Sequence, residues 1–300
     1  MKWRLDWNMT KKQHYVPQFY LRNFTSEDNK LWVFDRVKRE YYCKTPKEVC
    51  YEKYLYETPW KDENPKLGKF VLENQIENYF ADKEGEYSYL IKRIIDICKN
   101  PQNKNALICR HEEKEMLASF VANIFVRNPW SLKQIESDLP LEELKENEEI
   151  QAIEQIIQIM GLGDIDSLVR AADKKVWLTE EFDGSRLTPR ILKMNYTFLV
   201  SPKGAFITSS FPAIYQLCDT EEDGLMPSNI YLSIHPQVSL LYNEDIPKTK
   251  SNRLKLVDEE MVCELNSAYL KSDVEQMRFL IAKDKETLKS VTESTYKNLK

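Results

Sequence analysis

The sequence predicts an α+β fold in which a helical middle region packs against a mostly antiparallel sheet, formed by an N-terminal hairpin and C-terminal strands. Apolar residues recur at helical spacing through residues 69–176, whereas residues 190–283 hold short β-branched and aromatic runs between turn residues. The chain has 300 residues, 42% of them hydrophobic, enough for a substantial core. Because no break in composition divides the chain, we expect a single domain over residues 1–300.

The N-terminal region, residues 13–57, is expected to contain a β-hairpin. The runs LWVFDR at 31–36 and EYYCK at 40–44 are apolar and aromatic, and a charged connection separates them. Two such runs joined by a short polar link are typical of paired antiparallel strands.

The helical region begins with residues 69–99, where the apolar spacing predicts one long bent helix, or two helices divided at Gly85. A second helix is expected to start near His111. It should end or kink at Pro129, because proline removes a backbone donor and disfavours helix at the preceding residue.

The acidic segment 136–160 carries eight acidic residues against one lysine, alongside regularly spaced Leu, Ile and Met. This pattern predicts one amphipathic helix with a solvated acidic face, closed by Gly161. Asp164 is suited to cap a following helix that completes the helical region.

The C-terminal region, residues 190–283, predicts three or four antiparallel strands from Ile191 onward, since its runs are rich in Ile, Val, Tyr, Phe and Thr. Asp258 should open a helix, the run at 277–282 should form one more strand, and a charged helix should end the chain. We expect the N-terminal hairpin to join the C-terminal sheet, which would bring distant motifs together.

Charge and hydropathy exclude several classes of protein. The net charge of −5 and pI near 5.5 exclude a polycation that wraps nucleic acid non-specifically. Charged residues interrupt every early apolar run, and no run approaches the length of a membrane helix. We therefore expect a cytoplasmic protein with no membrane partner. The scattered cysteines and three histidines show no zinc-ligand spacing, so no metal site is expected from them.

The run HYVPQFYLRNF at 14–24 concentrates imidazole, hydroxyl, amide and guanidinium groups among aromatic residues. With it, the chain resembles the family known as domain of unknown function 4238. The resemblance extends over nearly the whole chain, through these further segments: CYEKYLYE at 50–57, the helix with Glu77 and Glu84, FVRNP at 125–129, FITSSFP at 206–212, YLSIHPQVSLLY at 231–242 and ELN at 264–266. The family usually reads T-S-D-x-P where this chain has Ser210, so no aspartate role carries over there. The resemblance implies matching positions and no particular activity.

Four residues are candidates for catalysis. His14 is a candidate general acid or base, or it pins the chain by a hydrogen bond to the backbone. Glu77 and Glu84 stand seven residues apart on one predicted helical face, where they would hold a hydrated Mg²⁺ or simply face solvent. Arg127 at a helix end is placed to clamp a phosphate or carboxylate, or to pair with Glu77 or Glu84.

A second group of residues is suited to hold a substrate. Thr208 and Ser209 follow a predicted strand, where hydroxyls and amides often bind anions, although they also serve ordinary turns. Asn266 lies inside a predicted helix against its propensity, which indicates a specific hydrogen bond. Tyr15 and Tyr20 belong to residues 1–22, where five basic residues against one acidic are interleaved with aromatics. This stretch is typical of a single-strand nucleic-acid binder or of an aromatic cap on the core.

Two functions follow from these residues. The first is a hydrolase or nuclease-like enzyme acting on a phosphorylated, nucleotide or RNA substrate, in which Mg²⁺ is the one cofactor that the residues suggest. The alternative is a non-catalytic domain that binds a ligand or another protein. No P-loop, dinucleotide fingerprint, CxxC or HExxH motif is present to decide between them, and no protein partner is indicated.

Overall fold

The computed structural model describes residues 10–64, 67–100, 102, 107–179, 187–220 and 224–298. Within these ranges the predicted α+β class is confirmed. The basic N-terminal stretch is covered only from residue 10 onward, so Trp3 and Trp7 lie outside the described residues.

The N-terminal region forms the predicted hairpin and a further short strand pair. Strand β1 (Lys12–His14) pairs antiparallel with β4 (Tyr51–Lys53), and the short helix α1 (Gln18–Arg22) follows β1. The hairpin consists of β2 (Leu31–Asp35) and β3 (Glu40–Lys44), which pair antiparallel from Asp35 opposite Glu40 to Leu31 opposite Lys44.

The hairpin joins C-terminal strands, as expected. Strand β13 (Phe279–Ala282) lies between β2 and the two-residue strand β8 (Thr208–Ser209), antiparallel to both. The four-stranded sheet therefore has the order β3-β2-β13-β8 and ties the beginning of the chain to its end.

The helix expected from residue 69 begins later than its apolar spacing suggests. Residues Gly68–Val71 form strand β6, which pairs antiparallel with β5 (Thr58–Asn64). Leu72 and Asn74 then adopt left-handed conformations, with φ of 55° and 58°, which prevent the helix from extending back into the strand. Helix α2 (Gln75–Cys98) runs without interruption through Gly85, so one helix rather than two occupies this segment.

Pro129 separates two helices, as the sequence predicts. Helix α3 (Lys114–Val126) follows a single 3₁₀ turn at 111–113 and ends three residues before the proline. Pro129 itself is the first residue of α4 (Pro129–Asp138), a position where its missing N–H has no helical partner to lose. The Asn128 side chain caps α4 by accepting the Trp130 N–H at 2.8 Å.

The prediction of one acidic helix over 136–160 is wrong. The segment contains the end of α4, the short helix α5 (Leu141–Lys145) and α6 (Glu148–Met160). Pro140 forces Leu139 into an extended conformation and so divides α4 from α5.

The expected caps around α6 and the next helix are present. Gly161 closes α6 in the left-handed conformation, with φ of 63°. Asp164 opens α7 (Ile165–Thr179), because its side chain accepts the Ser167 N–H at 2.8 Å.

The C-terminal strands form a second, five-stranded sheet. The expected strand at Ile191 starts later, because α8 (Leu187–Lys193) precedes β7. The sheet is antiparallel except where β12 runs parallel to β7. Its order is β12 (Arg253–Leu256), β7 (Asn195–Val200), β11 (Val238–Asn243), β10 (Gly224–His235) and β9 (Ala213–Thr220).

Two more helices complete the described chain. Helix α9 (Glu259–Lys271) begins at the predicted cap, where Asp258 accepts the Met261 N–H at 3.0 Å. Helix α10 (Lys285–Asn298) is the charged helix expected after β13. None of the helices in the described ranges has the length and apolar character needed to cross a membrane.

One large buried cluster includes side chains from α1, α2, α3 and both main sheets, reaching from Tyr15 to Val291. A smaller cluster lies beside it, formed by Tyr56, Ile76, Phe80, Leu132 and Leu178. The first cluster includes Tyr15 and Tyr20 of the opening run, and the second includes Phe80, whose ring lies against the Arg127 guanidinium. The single-domain organisation stays a prediction.

Candidate functional site

Arg127 is the centre of a buried polar cluster that joins three parts of the chain. Its guanidinium is 2% exposed at the end of α3. Nη1 donates to Glu84 Oε1 at 2.9 Å, and Nη2 donates to the backbone oxygen of His14 at 2.6 Å. Nε donates to the Tyr56 hydroxyl at 3.3 Å. The structure thus brings Arg127, Glu84 and the backbone of His14 together.

The surroundings of Arg127 keep it charged. Burial opposes the charge, but Tyr56 and Glu84 more than offset it and raise the pKa of Arg127 above its ordinary value. The guanidinium also lies over the Phe80 ring, 4.2 Å from the centroid, in a cation–π contact. A clamp on a phosphate would require Arg127 to give up these contacts, and that role stays a prediction.

Glu77 lies on the same helix as Glu84 and near Arg127, as the seven-residue spacing predicts. Burial raises the pKa of Glu77 to about 7, Glu84 and Glu57 add to the effect, and Arg127 opposes it. Its Oε2 is buried and has no hydrogen-bond partner in the described part of the chain. Arg127 supplies the positive charge here, and the described ranges contain no group of three His, Cys, Asp or Glu side chains suited to a metal ion.

His14 contributes its backbone to the cluster and its ring to a different neighbour. The ring is packed on Tyr51, with the centroids 5.5 Å apart, and Nδ1 lies 3.4 Å from Gln18 Nε2. Burial lowers the pKa of His14 to about 4. The positive charge of Arg127 also lowers this pKa, whereas a hydrogen bond with the Lys47 backbone raises it. The imidazole is therefore neutral at pH 7, the form that a general base requires.

Tyr20 and Thr208 meet in a second polar network inside the core. The Tyr20 hydroxyl lies 2.6 Å from Thr208 Oγ1 and donates to the backbone oxygen of Ser233. The Ser209 hydroxyl donates to the Phe211 oxygen at 2.6 Å and accepts the Phe211 N–H. Tyr20, Thr208 and Ser209 are all fully buried, so they connect α1 with β8 and β10 away from solvent.

Asn266 holds the segment that leads into β8. Its Oδ1 accepts the Ile207 N–H at 3.1 Å, and its Nδ2 donates to the Ala205 oxygen at 2.7 Å. The side chain is 2% exposed. This is the specific hydrogen bonding that a helix-interior asparagine indicates, and its partners are backbone groups about 60 residues away.

An open cleft of about 680 Å³ lies beside these buried networks. Three residues that line the cleft each come directly after a predicted site residue in the sequence. Tyr15 follows His14, Asn128 follows Arg127, and Ser210 follows Ser209. The three motifs therefore meet at this cleft, but the side chains that line it are those of the following residues and not those of His14, Arg127 and Ser209. Tyr15 is the predicted substrate-binding residue that lines it directly.

Hydrogen bonds to backbone groups hold the cleft together. Asn128 Nδ2 donates to the Ser210 oxygen at 2.8 Å, which joins the end of α3 to the turn after β8. The Ser210 N–H donates to the Phe279 oxygen at 2.8 Å, and its hydroxyl accepts the Phe279 N–H at 3.0 Å. The Tyr15 N–H donates to the Cys50 oxygen at 3.0 Å, which joins the first motif to the second.

Two cations line the cleft. Arg278 Nη2 donates to Asp35 Oδ2 at 2.8 Å, and this bond raises the pKa of Arg278 while the side chain remains 47% exposed. Lys133 is exposed on α4 and forms no ion pair with any residue that the structure describes. Two carboxylates, Glu52 and Glu275, also line the cleft, so the cleft presents both signs of charge.

Aromatic rings form much of the remaining wall. Tyr15 is nearly buried, whereas Tyr51, Trp130 and Phe279 are partly exposed. Lys12 Nζ lies 4.5 Å from the centroid of the Tyr51 ring, on which His14 also packs. Trp130 and Lys133 are three residues apart on α4, so helical spacing was the one signal by which Lys133 could have been found. No motif marked Arg278.

The convergence of these segments on one cleft agrees with a match over residues 12–286 to a family described as "Protein of unknown function (DUF4238)". The chain belongs to the DUF4238 family. The DUF4238 match begins at β1 and ends at the start of α10, so it includes every motif that lines the cleft. No curated protein and no solved structure matches the chain.

Proposed function

We propose that this DUF4238 protein binds a nucleotide-sized ligand, one that combines a planar ring with an anionic group, in the cleft between the HYVP segment and β13. The observation that carries the proposal is the composition of a single open cleft. Aromatic rings and two cations from distant segments line it together.

The aromatic wall suits a planar ring. Tyr51, Trp130 and Phe279 line the cleft and are partly exposed, so the cleft wall contains three aromatic side chains of the kind on which a base stacks. Stacking of a base on an aromatic side chain contributes about 1–3 kcal/mol in single-stranded nucleic-acid complexes. The ring is therefore expected to be the part of the ligand that these residues recognise.

The cations suit an anionic group. Lys133 has no carboxylate partner in the described chain, so a phosphate there would not need to displace one. Arg278 is fixed by Asp35 and keeps about half of its side chain exposed, so its position is set before a ligand arrives. The volume of about 680 Å³ is within the usual range for small-molecule sites.

Hydrolysis of the bound ligand is a second proposal, and it rests on His14. Its imidazole is neutral at pH 7 and packs on Tyr51, whose ring lines the cleft. The Tyr51 side chain lies between the His14 imidazole and the cleft. A role for His14 as general base therefore requires Tyr51 to move or a water molecule to enter between the imidazole and the ligand.

Binding is tested by calorimetric titration of the purified protein with the four ribonucleoside 5′-monophosphates and with the corresponding nucleosides. We expect monophosphates to bind, nucleosides to bind less tightly, and Lys133→Ala and Trp130→Ala each to weaken binding by roughly tenfold. Lys38→Ala and Trp177→Ala change exposed residues of the same types elsewhere and should bind as the wild type does. Absence of binding at millimolar ligand, or equal effects of site and control variants, would contradict the proposal.

Hydrolysis is tested separately, by incubating the protein with nucleotides and a short single-stranded RNA, with and without Mg²⁺. We expect products from the wild type and at least about tenfold slower turnover by His14→Gln. Binding without turnover would leave the ligand-binding proposal standing and overturn the hydrolase proposal. Equal turnover by both proteins would remove His14 from the chemistry.

A further inference from the structure

We propose that the protein associates with a second copy of itself by docking helix α6 of one copy into a groove on the five-stranded sheet of the other. The two surfaces carry opposite charge and matching apolar character. None of the residues that line the groove also lines the cleft, so this inference is independent of the proposed ligand.

Helix α6 exposes an apolar stripe to solvent. Ile157 is the buried residue of the helix, whereas Ile153 and Ile156 are 46% and 55% exposed. Ile159 and Met160 are 85% and 63% exposed. Scattered exposed apolar residues are ordinary, but this many on 13 residues of one helix mark a surface with an absent partner.

Helix α6 also carries acidic residues. Helix α6 contains Glu148, Glu149 and Glu154 and no basic residue. Glu149 lies four residues before Ile153 and seven before Ile156, so it belongs to the same face of the helix. The helix is therefore an acidic amphipathic segment, the kind that binds in basic apolar grooves.

The groove has a volume of about 970 Å³ and lies between the five-stranded sheet, the segment after β11, and α9. Its apolar side chains come from all three elements: Leu199, Leu241, Ile246, Met261 and Leu265. Four cations and two carboxylates complete the lining: Lys250, Arg253, Lys255, Lys271, Asp245 and Glu264. The excess of cations over carboxylates is the opposite of the charge on α6, and this complementarity selects the occupant.

Within one copy, helix α6 does not fill the groove. Helix α6 packs against α5 and α7, whereas the groove is formed by β7, β11, β12 and α9. The contact between two copies is therefore heterologous, with a helix on one side and a groove on the other. Each copy retains one free helix or groove unless the arrangement closes on itself.

The association is tested by sedimentation velocity over a range of concentrations at low and high salt. We expect the wild type to form dimers or larger species as its concentration rises, and high salt to weaken them. Ile156→Glu, and separately the double variant Lys255→Glu with Lys271→Glu, should each weaken association at least about tenfold. Val37→Glu, at a 64% exposed hairpin position, is the control and should associate as the wild type does.

Mixing the two variants tests the arrangement itself. The Ile156→Glu protein retains an intact groove, and the double lysine variant retains an intact α6. An equimolar mixture should therefore form one-to-one dimers at concentrations where each variant alone associates at least about tenfold more weakly than the wild type. Circular dichroism of each variant shows that both are folded. A wild type that is monomeric at several hundred micromolar, association that Ile156→Glu leaves unchanged, or a mixture that does not pair would each overturn the proposal.

Discussion

Arg127 and His14 are joined through a hydrogen bond from the Arg127 guanidinium to the backbone oxygen of His14, 2.6 Å long and 113 residues apart in sequence. The bond explains how two motifs at opposite ends of the first half of the chain come to stand behind one cleft. It also makes the carbonyl of His14, rather than its ring, the group that fixes the entry of the chain.

Removal of Arg127 should be costly to the fold. Arg127→Met leaves Glu84 and the His14 carbonyl without their donor, and loss of one member of a buried pair costs about 3 kcal/mol in unfolding free energy. Urea unfolding measures the change. Arg170→Met, at an exposed position of α7, is the matched control. A loss no larger than that of the control would mean that the cluster contributes little to stability.

Glu77 should make the protein less stable as pH rises. The folded chain holds the Glu77 proton to about pH 7, whereas the unfolded chain releases it near 4.5, so the free energy of unfolding falls between these values. The glutamine of Glu77→Gln is neutral and does not titrate, so its contribution does not change with pH. We expect this variant to gain up to about 3 kcal/mol over the wild type at pH 8 and little at pH 4. Glu86→Gln, an exposed position on the same helix, should show no such difference.

His14 should act in the opposite direction at acid pH. The folded chain keeps His14 neutral down to about pH 4, whereas the unfolded chain takes up a proton near 6.5. His14 therefore does not change the free energy of unfolding above pH 6.5, and it lowers this free energy as the pH falls from 6.5 to 4. His14→Gln should therefore lose less stability than the wild type between pH 6.5 and 4 in thermal unfolding. Identical pH profiles for His14→Gln and for His111→Gln, at an exposed position, would refute this.

Ser210→Asp should change the cleft more than the fold. A carboxylate oxygen can accept the Phe279 N–H as the serine hydroxyl does, but it adds negative charge beside Arg278. We expect monophosphate affinity to fall roughly tenfold, about 1.4 kcal/mol. Ser210→Asn has similar size without the charge. If Asn weakens binding as much as Asp, size rather than charge is responsible.

Local signals in the sequence were sufficient for most elements. The caps at Asp164, Asp258 and Gly161 act through side chains or φ angles within a few residues, so the pattern alone located those helix ends. The strand at 68–71 escaped detection because its pairing with β5 overrides an apolar spacing that also fits a helix.

The sequence predicts which segments of the chain meet at the candidate site, but not which side chains line it. The segments that contain His14, Arg127 and Ser209 do meet at one cleft, but whether a side chain faces the core or the cleft depends on packing partners from other segments of the chain, such as Tyr51 for the His14 ring and Glu84 for Arg127. Arg278 illustrates the difficulty, since its place in the cleft depends on Asp35, 243 residues earlier. No spacing within a single segment carries that information.

Strand β13 also sets the order in which the molecule can be assembled. It is an inner strand of its sheet, flanked by β2 and β8, so both neighbours carry unsatisfied edges until residues 279–282 have left the ribosome. The contacts that bridge the two ends of the polypeptide close very long loops, which makes them slow to form. The four-stranded sheet of a nascent chain therefore remains incomplete through most of translation. A product cut short before residue 279 would expose unpaired strand edges and apolar surface, which chaperones recognise and which aggregate.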